Sequence, residues 1–162
     1  MAAPRKELDT GYYLQHFNEL LQFITLHYQQ VLTADSAAFI KDFNKLSEPG
    51  QQLLVRMLNR KGTVFADTEL SYSEIGAIAP VLAELTAAGF IAPLSQQDLP
   101  DFWLRLSKDT LWQLLQLAQA ELAAPLSVKK SQTKPQLLGT ALKLPLNWLA
   151  LIAQLPPHYI AL

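Results

Sequence analysis

The sequence of 162 residues contains no cysteine. This absence excludes a disulfide framework, a thiolate metal site and a cysteine nucleophile. The six glycines are scattered singly, so there is no glycine-rich loop of the kind that cradles phosphates. The three histidines, His16, His27 and His158, lack the spacing of paired metal ligands, and no clustered set of carboxylates offers ligands for Mg²⁺ or Mn²⁺. These absences argue against an enzyme that works with residues of this chain alone.

Charge is scarce as well. Only 17% of the residues are charged, the formal net charge is -1 and the pI is about 6.3. The global basic excess that is typical of nucleic-acid-binding proteins is therefore missing, and such a function must rest on local patches. No apolar run reaches the roughly 18 residues that a membrane span needs, and no apolar signal core stands at the N-terminus. We therefore expect a cytoplasmic protein without a membrane partner.

The apolar residues, which make up half of the chain, recur at helical spacing and predict a mainly α protein. Helices are expected over 12–32, from Asp35 or Ser36, over 47–62, and from Ser71 or Ser73 to Gly89. Pro80 predicts a break or kink in the fourth. Short extended segments at 63–65 and 90–92 complete a winged-helix-like unit with a minimal β-hairpin.

A basic helix stands out within this unit. Ser47 is a good N-cap and Gly62 follows the last turn. Leu53, Leu54, Met57 and Leu58 share one face of this helix, and Gln52, Arg56 and Arg60, with Lys61 beside them, lie on another. Spacing alone leaves two interpretations open, a solvated helix face or a site for an anionic partner. Tyr12 and Tyr72 each stand near the start of a predicted helix and could contact phosphate or sugar through their hydroxyls.

A second basic segment follows a polar, proline-containing stretch at 94–100. A helix capped at Ser107 ends before Pro125, an extended segment carries Lys129, Lys130 and Lys134, and Thr133 caps the next helix. A helix–extended–helix arrangement suits contact with a nucleic-acid backbone, although a solvated loop explains the lysines equally well. Around Trp148 the tail predicts one or two further amphipathic turns that Pro156-Pro157 would end.

A set of spaced residues in 11–92 matches a known family pattern. These residues are Tyr12, Tyr13, Leu14, Phe17, Leu46, Ser47, Gln51, Leu53, Val55, Arg56, Arg60, Lys61, Gly62, Leu70, Tyr72, Glu74, Ile75, Leu85, Gly89 and Phe90. The V-R-x-x-x-R-K-G core at 55–62 is the strongest part of the match. Through these residues, 11–92 closely resemble the Fanconi-anaemia-associated nuclease family, and residues 107–142 resemble its SAP motif more loosely.

The resemblance implies a function. The family comprises structure-specific DNA nucleases with a role in interstrand crosslink repair, in which an N-terminal DNA-binding region precedes a middle helical region and a C-terminal nuclease domain. It implies that Arg56, Arg60 and Lys61 contact DNA phosphates, with Tyr72 and one of Tyr12 and Tyr13 near that surface. The sequence holds no counterpart of the nuclease domain, where Mn²⁺ or Mg²⁺ would act, so the chain itself is expected to be non-catalytic and without a cofactor.

The resulting hypothesis is a DNA-binding module of a bacterial repair nuclease, located in the cytosol and nucleoid. We predict a winged-helix-like unit at 1–93 packed on a SAP-like unit at 94–143, with 144–162 starting a further helical region. Expected partners are double-stranded or branched DNA and the middle and nuclease domains of the parent chain. The DNA-binding candidates are Arg56, Arg60, Lys61, Tyr72, Tyr12, Tyr13, Gln52, Lys129, Lys130 and Lys134.

An alternative from another class is a helical protein-interaction or dimerisation module without direct DNA contact. The near-zero net charge and the apolar tail motivate it, since the face around Trp148 would then dock another protein or a second copy of the chain. If the tail begins a further region, Leu149, Ile152 and Leu155 are expected to be exposed in this chain.

Overall fold

The computed structural model describes residues 11–155 and 158–162, and these residues are mainly helical. The predicted fold class is thereby confirmed. The helices are α1 Tyr12–Tyr28, α2 Ala34–Lys45, α3 Glu48–Leu58, α4 Ile78–Ala87, α5 Leu99–Arg105, α6 Lys108–Gln119, α7 Lys134–Leu142 and α8 Trp148–Ile152. The strands are β1 Val64–Ala66, β2 Ala92–Pro93 and β3 Tyr159–Ala161, and two 3₁₀ turns cover Asp67–Glu69 and Gln96–Asp98. No helix among the described residues is long and apolar enough to cross a membrane.

The described residues group into two compact units. The first unit contains 11–61 and 70–91, and the second contains 62–69, 92–155 and 158–162. The segment that carries β1 therefore belongs with the later part of the chain. The predicted division at 93 and 143 stays a prediction.

The first unit is built on α1, α2, α3 and α4. Phe43 is fully buried, and its ring lies 5.1 Å from that of Phe17, while Phe39 and Phe90 meet edge to face at 5.6 Å. Aromatic pairs in this geometry stabilise a core beyond the area they bury. An aromatic cluster around Phe43 thus joins α1 and α2 to the segment after α4, beside a core that is otherwise aliphatic.

The start of α3 is held by a close contact with α4. The Ser47 hydroxyl accepts a hydrogen bond from the Gly50 N–H, which confirms the predicted cap. The carboxylate of Glu84 in turn accepts hydrogen bonds from the Ser47 N–H and O–H, both at 2.7 Å. A Cβ at Gly50 would lie 2.6 Å from Oε1 of Glu84, so a residue without a side chain is needed for this approach. These contacts fix the direction in which α3 leaves the cap.

The fourth helix differs from its prediction. It begins at Ile78 instead of Ser71 or Ser73, and residues 70–77 contain neither helix nor strand, with a turn at 73–75. Pro80 therefore lies in the first turn of α4, where a missing N–H removes no intrahelical hydrogen bond. The predicted break was wrong because the proline helps to start the helix.

A small antiparallel sheet belongs to the second unit. Its strand order is β1-β3-β2, with Val64 opposite Ala161 on one side of β3 and Ala92 opposite Ala161 on the other. The predicted pairing of segments 63–65 and 90–92 in a minimal β-hairpin was wrong, since β3 lies between the two strands. The chain continues as a strand after Pro156-Pro157, a pair that lies outside the described residues.

The core of the second unit includes the tail. Trp103 and Trp148 meet edge to face at 5.3 Å, and Ile152 and Leu155 are only 4% and 2% exposed. The expectation that Ile152 and Leu155 would be exposed was wrong, because they pack inside this unit. Leu149 is partly buried, so among the described residues of the tail the apolar side chains around Trp148 are largely taken up by this core.

Two helices of this unit begin as predicted. Ser107 caps α6 and Thr133 caps α7, each through its hydroxyl oxygen. Residues 120–133 between these helices, all of them described, contain neither helix nor strand. The two predicted helices are therefore confirmed, whereas the basic segment between them, predicted to be extended, forms no strand and turns at 130–132.

Candidate nucleic-acid interface

The basic helix α3 places its arginines against two tyrosine rings. The Cζ atom of Arg56 lies 4.1 Å from the ring centroid of Tyr13 and 4.9 Å from that of Tyr72. The Cζ atom of Arg60 lies 5.6 Å from the ring centroid of Tyr72. Arg56 lies in the last turn of α3, whereas Arg60 lies two residues after its end at Leu58, so the helix is shorter than the predicted 47–62. The rings come from α1 and from the segment before α4. We call Tyr13, Arg56, Arg60, Tyr72 and Glu74 the tyrosine–arginine cluster.

A carboxylate completes this cluster. Oε1 of Glu74 accepts hydrogen bonds from Nε and Nη2 of Arg56 at 3.0 and 2.7 Å, and from the Tyr13 hydroxyl at 2.9 Å. The side chain of Glu74 is 10% exposed and that of Arg56 is 34% exposed. Charge-assisted hydrogen bonds of this kind are stronger than neutral ones, and more so where water is partly excluded. The Arg56 guanidinium is therefore held along one edge by Glu74 and contacts two tyrosine rings.

The pKa values agree with this geometry. Burial alone would raise the pKa of Glu74, but the hydrogen bonds from Arg56 and from its own backbone outweigh it, and the pKa is lowered from 4.5. Burial and the hydrogen bond to Glu74 raise the pKa of Tyr13 to about 12. Burial would lower the pKa of Arg56, but the hydrogen bond to Glu74 raises it. At neutral pH the cluster therefore holds a charged pair beside a neutral phenol.

The structure brings together some of the candidate residues and separates others. Of the two adjacent tyrosines, Tyr13 contacts Arg56, whereas the Tyr12 ring is 42% exposed and stacks on His16 at 6.0 Å. Lys61 is exposed just after α3. Gln52 is only 6% exposed, so its amide does not lie on the exposed face to which the spacing assigned it. The turn of α3 before Arg56 is therefore part of the core.

The apolar face of α3 is also shifted from its prediction. Val55 is 1% exposed, whereas Leu58 is 44% exposed. The buried face thus turns toward Gln52 and Val55, because α3 packs against α1 as well as α4. Three-quarters of the predicted apolar residues, Leu53, Leu54 and Met57, are confirmed as core.

Sequence reasoning missed the role of Glu74. It appeared only as one matching position of the family resemblance. Its partners Arg56 and Tyr13 are 18 and 61 residues away, so no local spacing reveals the contact. The one available signal was an acidic residue two positions after Tyr72, near the start of the predicted fourth helix.

The lysines of the second unit are arranged differently. Lys129 and Lys130 are exposed, and the backbone N–H of Lys129 donates to Oε1 of Gln132 at 2.8 Å. Lys134, at the first position of α7, donates from Nζ to the Leu104 carbonyl at 3.2 Å. Two lysine side chains thus extend from an irregular segment, and the third contacts α5.

The described part of the chain offers no catalytic constellation. It contains no group of three or more histidine, aspartate or glutamate side chains that could hold a metal ion. A groove of about 710 Å³ between α1 and α2 is lined by amides and apolar groups, without a titratable side chain. The residues that line this groove therefore include no titratable group that could transfer a proton.

The connection between α2 and α3 assigns the first unit to a class. Only Leu46 and Ser47 separate the two helices, and α3 carries the arginines, as in a helix-turn-helix domain. Residues 11–92 match the family described as "FAN1, HTH domain". Because this match covers half of the chain, the chain belongs to that family of Fanconi-associated nucleases.

Relatives come from bacteria, plants and animals. The chain is 39% identical over 103 residues to the Fanconi-associated nuclease 1 homolog of Pseudomonas aeruginosa, covering 64% of this chain and 18% of that protein. It is 37% identical over 83 residues to the Arabidopsis thaliana homolog, covering 51% and 9%. It is 35% identical over 104 residues to human Fanconi-associated nuclease 1, covering 62% and 10%. The chain thus spans less than a fifth of the length of these relatives.

Solved structures share the fold as well. The crystal structure of paFAN1 bound to DNA with a two-nucleotide 5′ flap and a gap superposes with a TM-score of 0.72 and 29% sequence identity. The superposition covers 100% of this chain and 28% of that one. The complex with a one-nucleotide flap gives a TM-score of 0.72 at 30% identity, over 95% of this chain and 28% of that one.

Proposed function

We propose that this chain is a non-catalytic DNA-binding module of a structure-specific DNA repair nuclease. It holds duplex phosphates near a flap or branch so that a nuclease domain of the parent protein can cut. The observation that carries this proposal is the similarity of the whole chain to paFAN1 in complexes with flap DNA. Proteins of one family with the same fold commonly present the same surface to a shared ligand, provided that the site chemistry fits.

The chemistry of α3 fits phosphate. Arg56 lies in the last turn of α3, and Arg60 and exposed Lys61 follow just after the helix, so this end of α3 presents positive charge to a DNA backbone. Arginine matches the geometry of phosphate oxygens through its planar fork, and tyrosine hydroxyls also contact phosphate and sugar. Such contacts position a protein on DNA without reading its sequence, as a nuclease that selects by DNA shape requires.

Within this proposal the second unit has an auxiliary role. Residues 107–142 act as a SAP-type element, in which Lys129 and Lys130 approach the backbone from an irregular segment. The parent protein contributes the middle and nuclease domains, with Mg²⁺ or Mn²⁺ assisting hydrolysis there. Its setting is interstrand crosslink repair in the bacterial cytosol and nucleoid.

Binding of this chain to a fluorescent duplex with a 5′ flap tests the proposal. If three cationic contacts are made, the log–log dependence of affinity on salt should have a slope of about -3. Replacing Arg56, Arg60 and Lys61 together with alanine should weaken binding on the order of a hundredfold at low salt and flatten the slope. Unchanged binding by the triple variant, with its fold verified by circular dichroism, would contradict the proposed interface.

A second candidate function is a protein-interaction module. It is favoured by apolar side chains exposed on and just after α1, since Leu26 is 77% exposed, Val31 73% and Phe23 52%. Exposed apolar groups in such a row are common at protein interfaces. Size-exclusion chromatography with and without flap DNA separates the two functions, because salt-independent self-association without DNA binding would support this candidate.

A further inference from the structure

The tyrosine–arginine cluster raises the question of why an acidic side chain lies inside a proposed phosphate site. Glu74 is the carboxylate in direct contact with Arg56, at 2.7 Å from Nη2. A carboxylate there cancels the charge of the arginine and repels an approaching phosphate. If long-range charge alone governed the site, Glu74 would oppose binding, and its removal would strengthen it.

The hydrogen-bond geometry points to a different role. Glu74 occupies Nε and Nη2, which form one edge of the planar guanidinium, through a single oxygen. A guanidinium has five N–H donors, and these two bonds leave the edge that bears Nη1 outside the contact with Glu74. The Cζ atom lies 4.1 and 4.9 Å from the ring centroids of Tyr13 and Tyr72. Three neighbouring groups therefore restrict the orientation of the guanidinium and the direction of its remaining edge.

Such preorganisation affects binding through entropy. An unconstrained arginine side chain has several rotatable bonds and loses this freedom when it grips a phosphate. A guanidinium already held by Glu74 and the rings has lost most of that freedom in the folded protein. Its 34% exposure leaves it accessible to a ligand. The Tyr13 hydroxyl, which donates to the same Oε1 atom at 2.9 Å, holds the carboxylate in turn.

We infer that Glu74 is a positioning residue, whose carboxylate orients the Arg56 guanidinium so that its Nη1 edge meets a DNA phosphate. This inference rests on the proposed function of the cluster. It assigns to an acidic residue a favourable contribution to the binding of a polyanion, through the placement of one donor group. The groups that face the guanidinium are Glu74, Tyr13 and Tyr72, so the effect is local to these side chains.

Two conservative variants separate positioning from charge. Glu74→Asp keeps the negative charge but shortens the side chain by one methylene, so the carboxylate no longer reaches Arg56 in the same geometry. Glu74→Gln keeps the length and an acceptor oxygen but removes the charge. The positioning role predicts that Glu74→Asp binds flap DNA about tenfold more weakly, as expected for one charge-assisted contact, and that its salt slope falls by about 0.9. Glu74→Gln should bind at least as tightly as the original chain with an unchanged slope.

The slope of log affinity against log salt concentration distinguishes the loss of a DNA contact from the loss of folded protein. A destabilised variant lowers the concentration of active protein and shifts the apparent affinity, but it leaves the dependence of affinity on salt unchanged. Asp42→Glu and Asp42→Asn on the exposed face of α2 are matched controls for length and charge, and both should stay within about twofold of the original affinity. If Glu74→Asp binds like the original chain with an unchanged slope, the positioning role is refuted.

A separate variant distinguishes failure of this inference from failure of the proposed function. Arg60→Ala/Lys61→Ala leaves both hydrogen bonds between Arg56 and Glu74 in place and therefore tests the interface separately from them. If this double variant weakens DNA binding and Glu74→Asp does not, the interface stands and the positioning role falls. If neither variant changes binding, the proposed interface itself is contradicted, and with it the role of Glu74.

Discussion

The two units hold their basic side chains in different ways. In the first unit, Arg56 is enclosed by tyrosine rings and a carboxylate on regular structure. In the second unit, Lys129 and Lys130 extend from a segment without helix or strand. Side chains of equal formal charge can therefore act through directed contacts in the first unit and through long-range attraction in the second. A near-neutral protein that binds a polyanion has reason to orient the few cations it carries.

The largest effect on stability should come from disrupting the core of the first unit. Phe43 is fully buried and contacts Phe17 and Phe39. Phe43→Ala should reduce the free energy of unfolding by about 3–5 kcal/mol, the cost of deleting a large buried aromatic ring. Denaturant unfolding measures the loss. Hydrogen exchange should show lost protection in α1 and α3, and undiminished protection there would contradict the assigned core.

Two double variants that remove equal charge compare the basic side chains of the two units directly. Arg56→Ala/Arg60→Ala and Lys129→Ala/Lys130→Ala each remove two positive charges. We expect about a tenfold larger loss of flap-DNA affinity for the arginine pair, since directed charge-assisted contacts exceed diffuse attraction. Fluorescence anisotropy over a salt series measures both. Equal losses would mean that the enclosure of Arg56 has no consequence for binding.

The arginine double variant and the lysine double variant should also differ in stability. Removing Arg56 leaves the Glu74 carboxylate, which is 10% exposed, without its cationic partner. An unpaired group at such a site costs about 1–3 kcal/mol. Thermal unfolding should therefore register the arginine variant but not the lysine variant, whose side chains are exposed.

A contact could be predicted from the sequence when its two residues lie close together in the chain, and it was missed when they lie far apart. The caps at Ser47, Ser107 and Thr133 were predicted correctly, because a cap is a bond between residues three positions apart. Strand β3 was missed, since its three residues carry no periodicity and pair only with distant segments. The role of Glu74 was missed for the same reason, as both of its partners lie outside its own segment.

The next prediction separates the ring of Tyr72 from its hydroxyl. Tyr72→Phe keeps the ring that Arg56 and Arg60 contact, whereas Tyr72→Ala removes it. A cation–π contact contributes about 0.5–1 kcal/mol at exposed sites. Tyr72→Ala should therefore weaken DNA binding a few-fold relative to Tyr72→Phe. A loss shared by both variants would instead assign the contribution to the hydroxyl.

The smallest effect concerns pH. The pKa of Tyr13 rises from 10.0 to about 12 on folding, through burial and the hydrogen bond to Glu74. A raised pKa stabilises the folded state fully below pH 10, and this contribution is lost as the pH rises from 10 toward 12. The stability advantage of the original chain over Tyr13→Phe should decline across that interval in denaturant titrations. A constant difference would show that the phenol makes no such bond.

In acid, stability depends on pH in the opposite direction: the contribution of Glu74 is lost as the pH falls, whereas that of Tyr13 is lost as the pH rises. Because the pKa of Glu74 is lowered from 4.5, its stabilising contribution is present above that value and is lost as the pH falls through the folded-state pKa. Glu74→Gln lacks this titration, so its unfolding free energy should depend less on pH below 4.5 than that of the original chain. Parallel acid titrations of the two proteins measure the difference.

The central position of β3 has a consequence for how the protein is made. Both outer strands find their partner in Tyr159–Ala161, so β1 pairs with residues that are synthesised long after it. During translation, Val64–Ala66 and Ala92–Pro93 stay unpaired until residue 161 has left the ribosome. The helices α1 to α4 can pack earlier, because all of their contacts with one another lie in chain that has already been synthesised. A ribosome-bound chain halted just before Tyr159 should therefore carry a protected first unit while the strands of the second still exchange freely with solvent.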